Sequence, residues 1–333
     1  MKGTKILTQK GYKNVEDVDA HDKLLTHSGG FEAIINSQRK LYTGDLYEIS
    51  LKYHPLIINA TNDFAFYIKE RQADKTFTEP IWKKSIDLTY NDFFGMYINN
   101  NNIIPEFTSN NKSIKLDKME YYFILGYFLG NGWLKSNRGQ YVIKFDIENI
   151  NEYEIVDKIS KVLQITKSNK IYGCKNPEWV EIFKFFGDKI TDKVIPEWIQ
   201  DIPKPYILEF LYGFGKTNSC NYKNEILEII TLSCNVAYGL QRLYLKLGHI
   251  VSIRKIINNT PSKKDKDILI YKDIFIITCN LKPRINNSFI ADNYLWVSPV
   301  NFNKKEVINT TIYTFNLENT NSCILGNTIV NTH

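Results

Sequence analysis

The sequence predicts an α+β fold in which both ends of the chain form one all-β part and the middle is an inserted α+β part with two similar halves. Short β-branched or alternating runs, separated by turn residues, fill roughly the first hundred positions. The apolar period then becomes helical, and the order helix, strands, helix occurs twice. β character returns after residue 300. One insertion explains this order more simply than three domains in series.

The amino-terminal part, residues 1–104, is predicted to consist of short strands, at residues 5–8, 23–25, 31–35, 46–51, 56–60 and 64–68. Turn residues separate the strands, namely Gly11, Ser28-Gly29-Gly30, Thr43-Gly44-Asp45 and His54-Pro55. We therefore expect an all-β module whose strands are too short for a sandwich of long ladders.

The first half of the inserted part, residues 114–190, follows an asparagine run and a polar stretch. It is predicted to open with a helix from Asp117 to Gly130, because Asp117 and Glu120 resemble a capping box. The elements predicted after this helix are a strand at 141–145, a helix at 152–163, a strand near 170–172 and a short helix near 179–186.

The second half, residues 195–300, is predicted to open with a helix that has Pro205 in its first turn and ends near Thr217. The elements predicted after it are a strand at 226–231, a helix at 235–247, and strands at 250–256 and 268–278. The carboxy-terminal part, residues 305–333, is predicted to return to β structure, with strands at 311–318 and 322–329. The inserted part as a whole thus covers residues 114–300.

Composition sets broad limits on the kind of protein. With 333 residues, 43% of them hydrophobic and 23% charged, the chain is predicted to fold into two or three globular domains. No apolar stretch is long enough for a membrane span or a signal peptide, so we expect an intracellular protein, in the cytoplasm or a virus factory, with no membrane partner. The five cysteines form no CxxC pair, which argues against a structural zinc site. The net charge of +6 fits a nucleic-acid binder and a slightly basic protein equally well.

Two segments of the inserted part, residues 124–132 and 211–219, resemble each other. Each places two small residues four positions apart, Gly126 with Gly130 and Gly213 with Thr217. This spacing puts both residues on one helix face, so two such faces can approach until their backbones touch. One such helix alone would fit an ordinary core helix with a glycine cap. A matched pair that brackets a repeat predicts that the two helices pack together.

These two segments resemble the paired motifs of single-chain LAGLIDADG homing endonucleases, and residues 195–198 and 237–248 resemble adjoining segments of that family. The resemblance implies two pseudo-symmetric halves, each with a saddle of strands on the DNA major groove, and an acid at the eighth motif position that binds Mg²⁺. Those positions are Asn131 and Asn218, which carry no negative charge. We expect a retained fold that binds no Mg²⁺ and has lost its nuclease activity. Ser219, in place of the last motif glycine, points the same way.

The resemblance also implies a DNA-binding face. Its candidate residues are the basic side chains on or beside the predicted saddle strands: Lys135, Arg138, Lys144, Arg254, Lys255, Lys272, Lys282 and Arg284. Acidic residues are interspersed with them, so a solvated surface without DNA remains the alternative.

The outer β segments resemble the Hint domain of inteins, a horseshoe of strands that splices proteins, which here would carry an inserted endonuclease domain. The resemblance lies in residues 3–7, 57–66, 80–88 and 311–331. Splicing needs an amino-terminal Cys or Ser, a Thr-x-x-His motif, a His in the penultimate block and a terminal Asn before a second nucleophile. The matching positions are Met1, Thr61, Phe64, Asn321, Asn331 and Thr332. Phe64 and Asn321 replace both histidines, and Met1 replaces the nucleophile, so we expect the first splicing step not to occur.

Three hypotheses follow from the sequence. The first is an intein-derived, homing-endonuclease-like monomer that binds double-stranded DNA, with host-protein segments as flanking partners if it is an intein. The second is a scaffold that has taken on an architectural or protein-binding role without nucleic acid. The third is an active intein and endonuclease in which Asp146 or Glu148 replaces the motif acids. Geometry at the helix ends disfavours the third, because two metals must come close together there.

Overall fold

The computed structural model describes residues 1–109, 112–137, 140–147, 152–169, 171–188, 190–217, 219–223, 226–261, 269–280 and 288–331. At residues 137, 223, 258–261, 269–272 and 280 it describes the backbone alone. Contacts within the chain form two compact units. The first unit comprises Met1–Asn99, Gly248–Lys255 and Lys282–His333, and the second comprises Asn100–Leu247 and Ile256–Leu281. Strands and six α-helices in the described chain confirm the predicted α+β class.

The strands of the amino-terminal segment are β1 (Lys5–Thr8), β2 (Gly11–Asn14), β3 (Lys23–Leu25), β4 (Phe31–Leu51), β5 (Ile58–Thr61), β6 (Ala65–Glu70), β7 (Ile81–Lys84) and β8 (Asp92–Tyr97). The second unit then begins with a hairpin of β9 (Glu106–Ser109) and β10 (Lys112–Lys115). The sequence did not predict this hairpin, because its residues are polar and its strands are short.

The elements that follow this hairpin along the chain, up to residue 280, form the predicted repeat. Those of the first half are α1 (Met119–Asn131), β11 (Gly132–Asn137), β12 (Gln140–Asp146), α2 (Glu152–Ser160), β13 (Thr166–Ser168), β14 (Ile171–Cys174) and α3 (Pro177–Lys184). Those of the second half are α4 (Glu197–Asp201), α5 (Lys204–Gly215), β15 (Cys220–Lys223), β16 (Ile226–Thr231), α6 (Cys234–Lys246), β17 (Val251–Pro261) and β18 (Leu269–Asn280).

Each half contains its own four-stranded sheet, and the two sheets have the same strand order. The first has the order β11-β12-β14-β13 and the second has the order β15-β16-β18-β17, so each runs first, second, fourth, third along the chain. Each first strand directly follows a helix of the matched pair, α1 or α5. This equivalence confirms the repeat predicted from the sequence.

The start of α1 corrects one prediction. The helix begins at Met119 with Lys118 as its cap residue, and no side chain caps it, so Asp117 and Glu120 do not form a capping box. Two tyrosine hydroxyls hold the preceding backbone instead, because Tyr122 donates to the Leu116 carbonyl at 2.7 Å and Tyr206 donates to the Asp117 carbonyl at 3.0 Å. Tertiary hydrogen bonds therefore replace the local cap.

The last strands of the first unit are β19 (Ser288–Ala291), β20 (Tyr294–Val297), β21 (Pro299–Leu317), β22 (Ser322–Leu325) and β23 (Thr328–Asn331). In the described residues, these five strands and β1 to β8 form one thirteen-stranded sheet with the main order β19-β20-β8-β6-β23-β22-β1-β3-β4-β21. The region predicted as one strand at 322–329 is a hairpin that turns at Gly326, whose φ is +57°. A Cβ atom at Gly326 would lie 2.0 Å from His54 Nε2, so glycine fits here for lack of space as well as for its φ.

The expectation of short strands only is wrong for β4 and β21. These strands have 21 and 19 residues and pair with each other from Ile34 opposite Leu317 to Leu51 opposite Pro299. Gly44, predicted to lie in a turn, continues β4 with φ +147°, opposite an irregularity between Val307 and Thr310. Residues 35–41 are exposed on both faces of the ribbon, so they carry no alternating apolar pattern by which the sequence could reveal the strand.

No helix in the described ranges is long and apolar enough to cross a membrane.

Candidate functional site

Helices α1 and α5 touch through their backbones. A Cβ atom at Gly126 would lie 1.9 Å from the Phe210 carbonyl oxygen, and one at Gly213 would lie 2.1 Å from the Phe123 carbonyl oxygen. No side chain larger than hydrogen fits at either position without moving a helix. The predicted packing of the two small-residue faces is therefore confirmed.

One turn further along, Gly130 faces Thr217. A Cβ atom at Gly130 would lie 2.5 Å from Thr217 Oγ1, and that hydroxyl donates a 2.7 Å hydrogen bond to the Phe214 carbonyl. Thr217 thus satisfies a carbonyl at the carboxy-terminal end of α5 while its small side chain keeps the helices close. The two helix ends meet at this point.

Asn131 is the last residue of α1 and lies half-buried at this meeting point. Its amide nitrogen donates to the Asp146 carbonyl at 3.3 Å and to the Tyr127 hydroxyl at 3.5 Å, and that hydroxyl donates to the same carbonyl at 2.8 Å. Burial raises the pKa of Tyr127 to about 12. Asn131 therefore acts as a hydrogen-bond donor that joins α1 to β12. Asn218 lies outside the described residues.

The described residues at the helix ends do not fit a divalent cation. Asn131 is neutral, and its amide nitrogen faces a carbonyl and a hydroxyl, so the side chain is used to join two elements. In the part of the chain that the structure describes, no group of three His, Cys, Asp or Glu side chains could hold a metal ion. Asp146 has a buried Oδ1 without a hydrogen-bond partner, but Lys135 and Lys144 line the same groove and oppose a cation there. Glu148 lies outside the described residues.

The sheet of the first half, β11-β12-β14-β13, is called the first sheet below, and that of the second half is called the second sheet. The open face of the first sheet carries two of the predicted DNA-binding lysines. Ile143 and Phe145 of β12 are buried, while Lys144 between them faces outward. Lys135 of β11 pairs in register with Val142 and points to the same side. Both lysines line two adjoining grooves, of about 600 and 740 Å³, that run along this face.

The other predicted basic residues are spread over the chain. Arg254 is exposed and Lys255 is half-exposed in β17. Lys272 lies in β18 with only its backbone described, and Arg138, Lys282 and Arg284 lie outside the described residues.

Sequence reasoning missed two further residues of the first-sheet grooves. Lys175 and Gln164 line the first groove beside Lys135 and Lys144. Lys175 directly follows β14. A search for basic residues next to the ends of the predicted strands could have found it.

The splicing positions lie partly together in the first unit. Met1, Phe64 and Asn331 line one small cavity of about 40 Å³. Thr61 does not line it, and its hydroxyl donates to Asp63 Oδ1 at 2.8 Å. Asn321 is exposed and does not line it either. Thr332 lies outside the described residues.

Phe64 lines the cavity at the position where the Thr-x-x-His motif would have its histidine. The Phe64 ring packs edge-on against Phe66, with 5.5 Å between ring centres, and no histidine occurs among the described lining residues. Cys323 also lines the cavity and was missed, since a single cysteine in an apolar strand indicates only core. Burial holds the pKa of the Cys323 thiol far above its usual range, so the thiol stays protonated at neutral pH.

Comparisons with known proteins give limited similarities. No family model matches the chain. An uncharacterised protein of Methanocaldococcus jannaschii is 23% identical over 324 residues, an alignment covering 80% of this chain. The chain spans only 40% of that relative's length.

Solved structures similar to part of the chain include homing endonucleases. A structure of I-DmoI variants has a TM-score of 0.32 at 15% identity, over 49% of this chain and 83% of that one. I-DmoI in complex with DNA and calcium has a TM-score of 0.31 at 15% identity, over 49% and 83%. I-WcaI bound to its DNA recognition sequence has a TM-score of 0.30 at 15% identity, over 49% and 76%.

Proposed function

We propose that this protein is an intein-derived, LAGLIDADG-type protein that binds double-stranded DNA without cleaving it. The observation that carries the proposal is the backbone contact of α1 with α5 through Gly126 and Gly213, each helix leading directly into a four-stranded sheet of the same order. Two equivalent sheets that start from one helix pair suit an elongated, nearly symmetric ligand such as a DNA duplex.

Loss of cleavage is part of the proposal. Hydrolysis of a phosphodiester by two metal ions needs negatively charged oxygen ligands where the helices end. Asn131 supplies a neutral amide there, and its nitrogen is used to join α1 to β12. Removing the carboxylate also removes an unfavourable charge at a helix carboxy terminus, which stabilises the scaffold. The protein would thus keep the DNA-binding face and lose the chemistry.

Loss of splicing is the second part of the proposal. The first step needs a nucleophile, and a histidine that polarises the scissile amide. The cavity that Met1, Phe64 and Asn331 share offers an aromatic ring where that histidine would act. Phe64 has no proton to donate and no lone pair to accept one. We therefore propose that the all-β unit is a Hint-type domain that serves as a folded support.

A salt-titrated binding assay tests the proposed function. Fluorescein-labelled duplex DNA and the full chain are titrated by anisotropy from about 50 to about 200 mM salt, with and without Mg²⁺. We expect binding at the lower salt concentration, a steep negative dependence on salt, and no cleavage product on a denaturing gel. Absence of binding at about 50 mM salt would remove the DNA-binding proposal. Mg²⁺-dependent cleavage would favour the active enzyme.

A protein-binding scaffold is the alternative, and one observation favours it. Ile226 and Ile230 on the open face of the second sheet are 39% and 50% exposed, more apolar surface than a phosphate-binding face needs. A chain that remains folded but does not bind DNA would favour protein binding through this face.

A further inference from the structure

The middle of β4 has an open side. On the side opposite β21, β5 pairs with Leu46–Ile49, and in the described chain no strand pairs with residues 34–45 on that side. Residues 35–41 are all exposed. An extended strand with one open side presents backbone N–H and C=O groups that have no partner strand, and these groups are the template on which a further strand can add.

The two sides of the ribbon differ in exposure. Ile35 and Leu41 of β4 are each 68% exposed. The residues of β21 that pair with this part of β4 include Phe315 and Ile312, which are 5% and 9% exposed. The β21 side of the ribbon is therefore covered, and solvent reaches the side chains along the open side of β4.

Two cations lie at the centre of the open side. Arg39 and Lys40 are exposed, and neither forms an ion pair with an acid in residues 1–109 or 288–331, which are all described. The acid of the same segment, Asp45, pairs with Lys304 at 2.7 Å. The Arg39 guanidinium lies 6.0 Å from the centre of the Tyr313 ring. Because successive residues of a strand point to opposite faces, an added strand would meet a positive charge on each of its faces.

The side chains along this edge restrict the chemistry of an added strand. Acids opposite Arg39 and Lys40 would form favourable cross-strand pairs, whereas lysine or arginine there would be repelled. Ile35 and Leu41 point to the same face as Arg39 and favour β-branched residues opposite them. A second copy of this edge is disfavoured, because antiparallel pairing of two copies would bring the cations together.

From these observations we infer that the open edge of β4, residues 34–43, binds an extended acidic segment of another protein as an added antiparallel strand. Every described pairing of β4 is antiparallel, which sets the direction of the added strand. Nucleic acid fits less well, since two cations give few phosphate contacts and the exposed side chains of Ile35 and Leu41 give none. The inference does not depend on the proposed DNA binding.

A peptide designed from the residues of the edge tests the inference. The probe is fluorescein-labelled Thr-Val-Glu-Glu-Thr-Thr-Thr-Val, which as an antiparallel strand places its valines opposite Leu41 and Ile35 and its glutamates opposite Lys40 and Arg39. The control peptide has two lysines in place of the glutamates. In anisotropy titrations with the full chain at about 50 mM salt, the acidic peptide should bind about tenfold more tightly than the control peptide.

Two double variants test the role of the cations. The edge variant, Arg39→Glu with Lys40→Glu, should bind the lysine peptide more tightly than the acidic one. The control variant, Lys304→Glu with Lys305→Glu, makes the same change of net charge on β21 and should keep the wild-type preference. All four side chains are exposed, so circular dichroism should give both variants the wild-type spectrum.

Two N-methylated forms of the acidic peptide separate strand pairing from charge attraction in the wild-type chain. Only alternate residues of an added strand direct their N–H groups to the neighbouring strand. Methylation of one alternate set of amides should therefore abolish binding, and methylation of the other set should leave it unchanged.

Three results would overturn the inference. They are a wild-type chain that binds neither peptide, equal binding of the two N-methylated forms, and a control variant that loses as much affinity for the acidic peptide as the edge variant. Duplex DNA that binds the wild-type chain more tightly than the edge variant, with no binding of the acidic peptide, would assign the edge to nucleic acid instead. The helix contact that carries the proposed function is untouched by any of these results.

Discussion

Replacing Gly126 with alanine tests the helix contact on which the proposed function depends. The added Cβ would lie 1.9 Å from the Phe210 carbonyl oxygen, 2.8 Å from its carbon and 2.9 Å from the Phe214 nitrogen. All three atoms belong to the α5 backbone, so no side-chain rotation can relieve the contact. Ordinary contact begins near 3.4 Å, and α5 would have to retreat by about 1.5 Å.

The free energy of unfolding should fall as a result. Overpacking of a close-packed interior costs about 1–3 kcal/mol, and a displacement of this size also forfeits much of the dispersion energy along the interface. Alanine in a helix interior returns about 1 kcal/mol over glycine. The difference of these two figures is a loss of about 0–2 kcal/mol, to which the forfeited dispersion energy adds, from a total of about 5–15 kcal/mol.

Gly215, the last residue of the partner helix α5, provides the control. A Cβ atom there would lie 3.3 Å from the Tyr222 hydroxyl, the far end of a side chain that can shift. Gly215→Ala should change the unfolding free energy by less than about 1 kcal/mol. Urea unfolding of the three chains, followed by circular dichroism, measures both values. Equal midpoints for Gly126→Ala and Gly215→Ala would refute the claim that the two backbones touch.

Three further predictions concern the two sites and the pH dependence. Asn131→Asp combined with Asn218→Asp should give Mg²⁺-dependent nicking of duplex DNA, measured on supercoiled plasmid. A double variant that binds DNA but does not nick it would show that residues other than these two also prevent cleavage. Burial lowers the pKa of His54 to about 4. Since a histidine in the unfolded chain has a pKa near 6.5, the stability that the neutral ring contributes is present above about pH 6.5 and is lost as the pH falls towards about 4. The free energy of unfolding should decrease by about 2 kcal/mol between about pH 7 and pH 5. A His54→Gln chain should show a correspondingly weaker pH dependence of its melting temperature, and an identical pH profile would contradict the assignment. Cys323→Ser should lower the unfolding free energy by about 1–3 kcal/mol, because it places a hydroxyl group at a position that is only 2% exposed. Cys323→Ala serves as its size control.

Some elements were predictable because the signal for them is local. The strand Ile226–Thr231 coincides with its predicted limits, and so do Lys5–Thr8 and Lys23–Leu25, since β-branched residues and flanking turns define them. The small residues at 126 and 213 predicted a helix pair, because a spacing of four fixes a helix face whatever surrounds it.

Other features depend on contacts between distant positions. The ribbon of β4 with β21 joins residues about 270 positions apart at its middle, and its exposed centre lacks any apolar period. The start of α1 is held by Tyr206, which is far from it in sequence. A local sequence pattern carries no information about such distant partners. The capping prediction was therefore wrong, because a tertiary hydrogen bond holds the start of α1 in place of a local cap.

The sequence by itself determined the two matched helices, the repeat around them and the neutral side chains of Asn131 and Asn218, because these are properties of residue type and spacing. Only the tertiary structure decided which charges lie together. It brought Lys175 beside Lys135 and Lys144, and placed Glu228 and Ile230 on the equivalent face of the second sheet. The physical reason is that strand register and pairing order, which join distant segments of the chain, fix which side chains share a face.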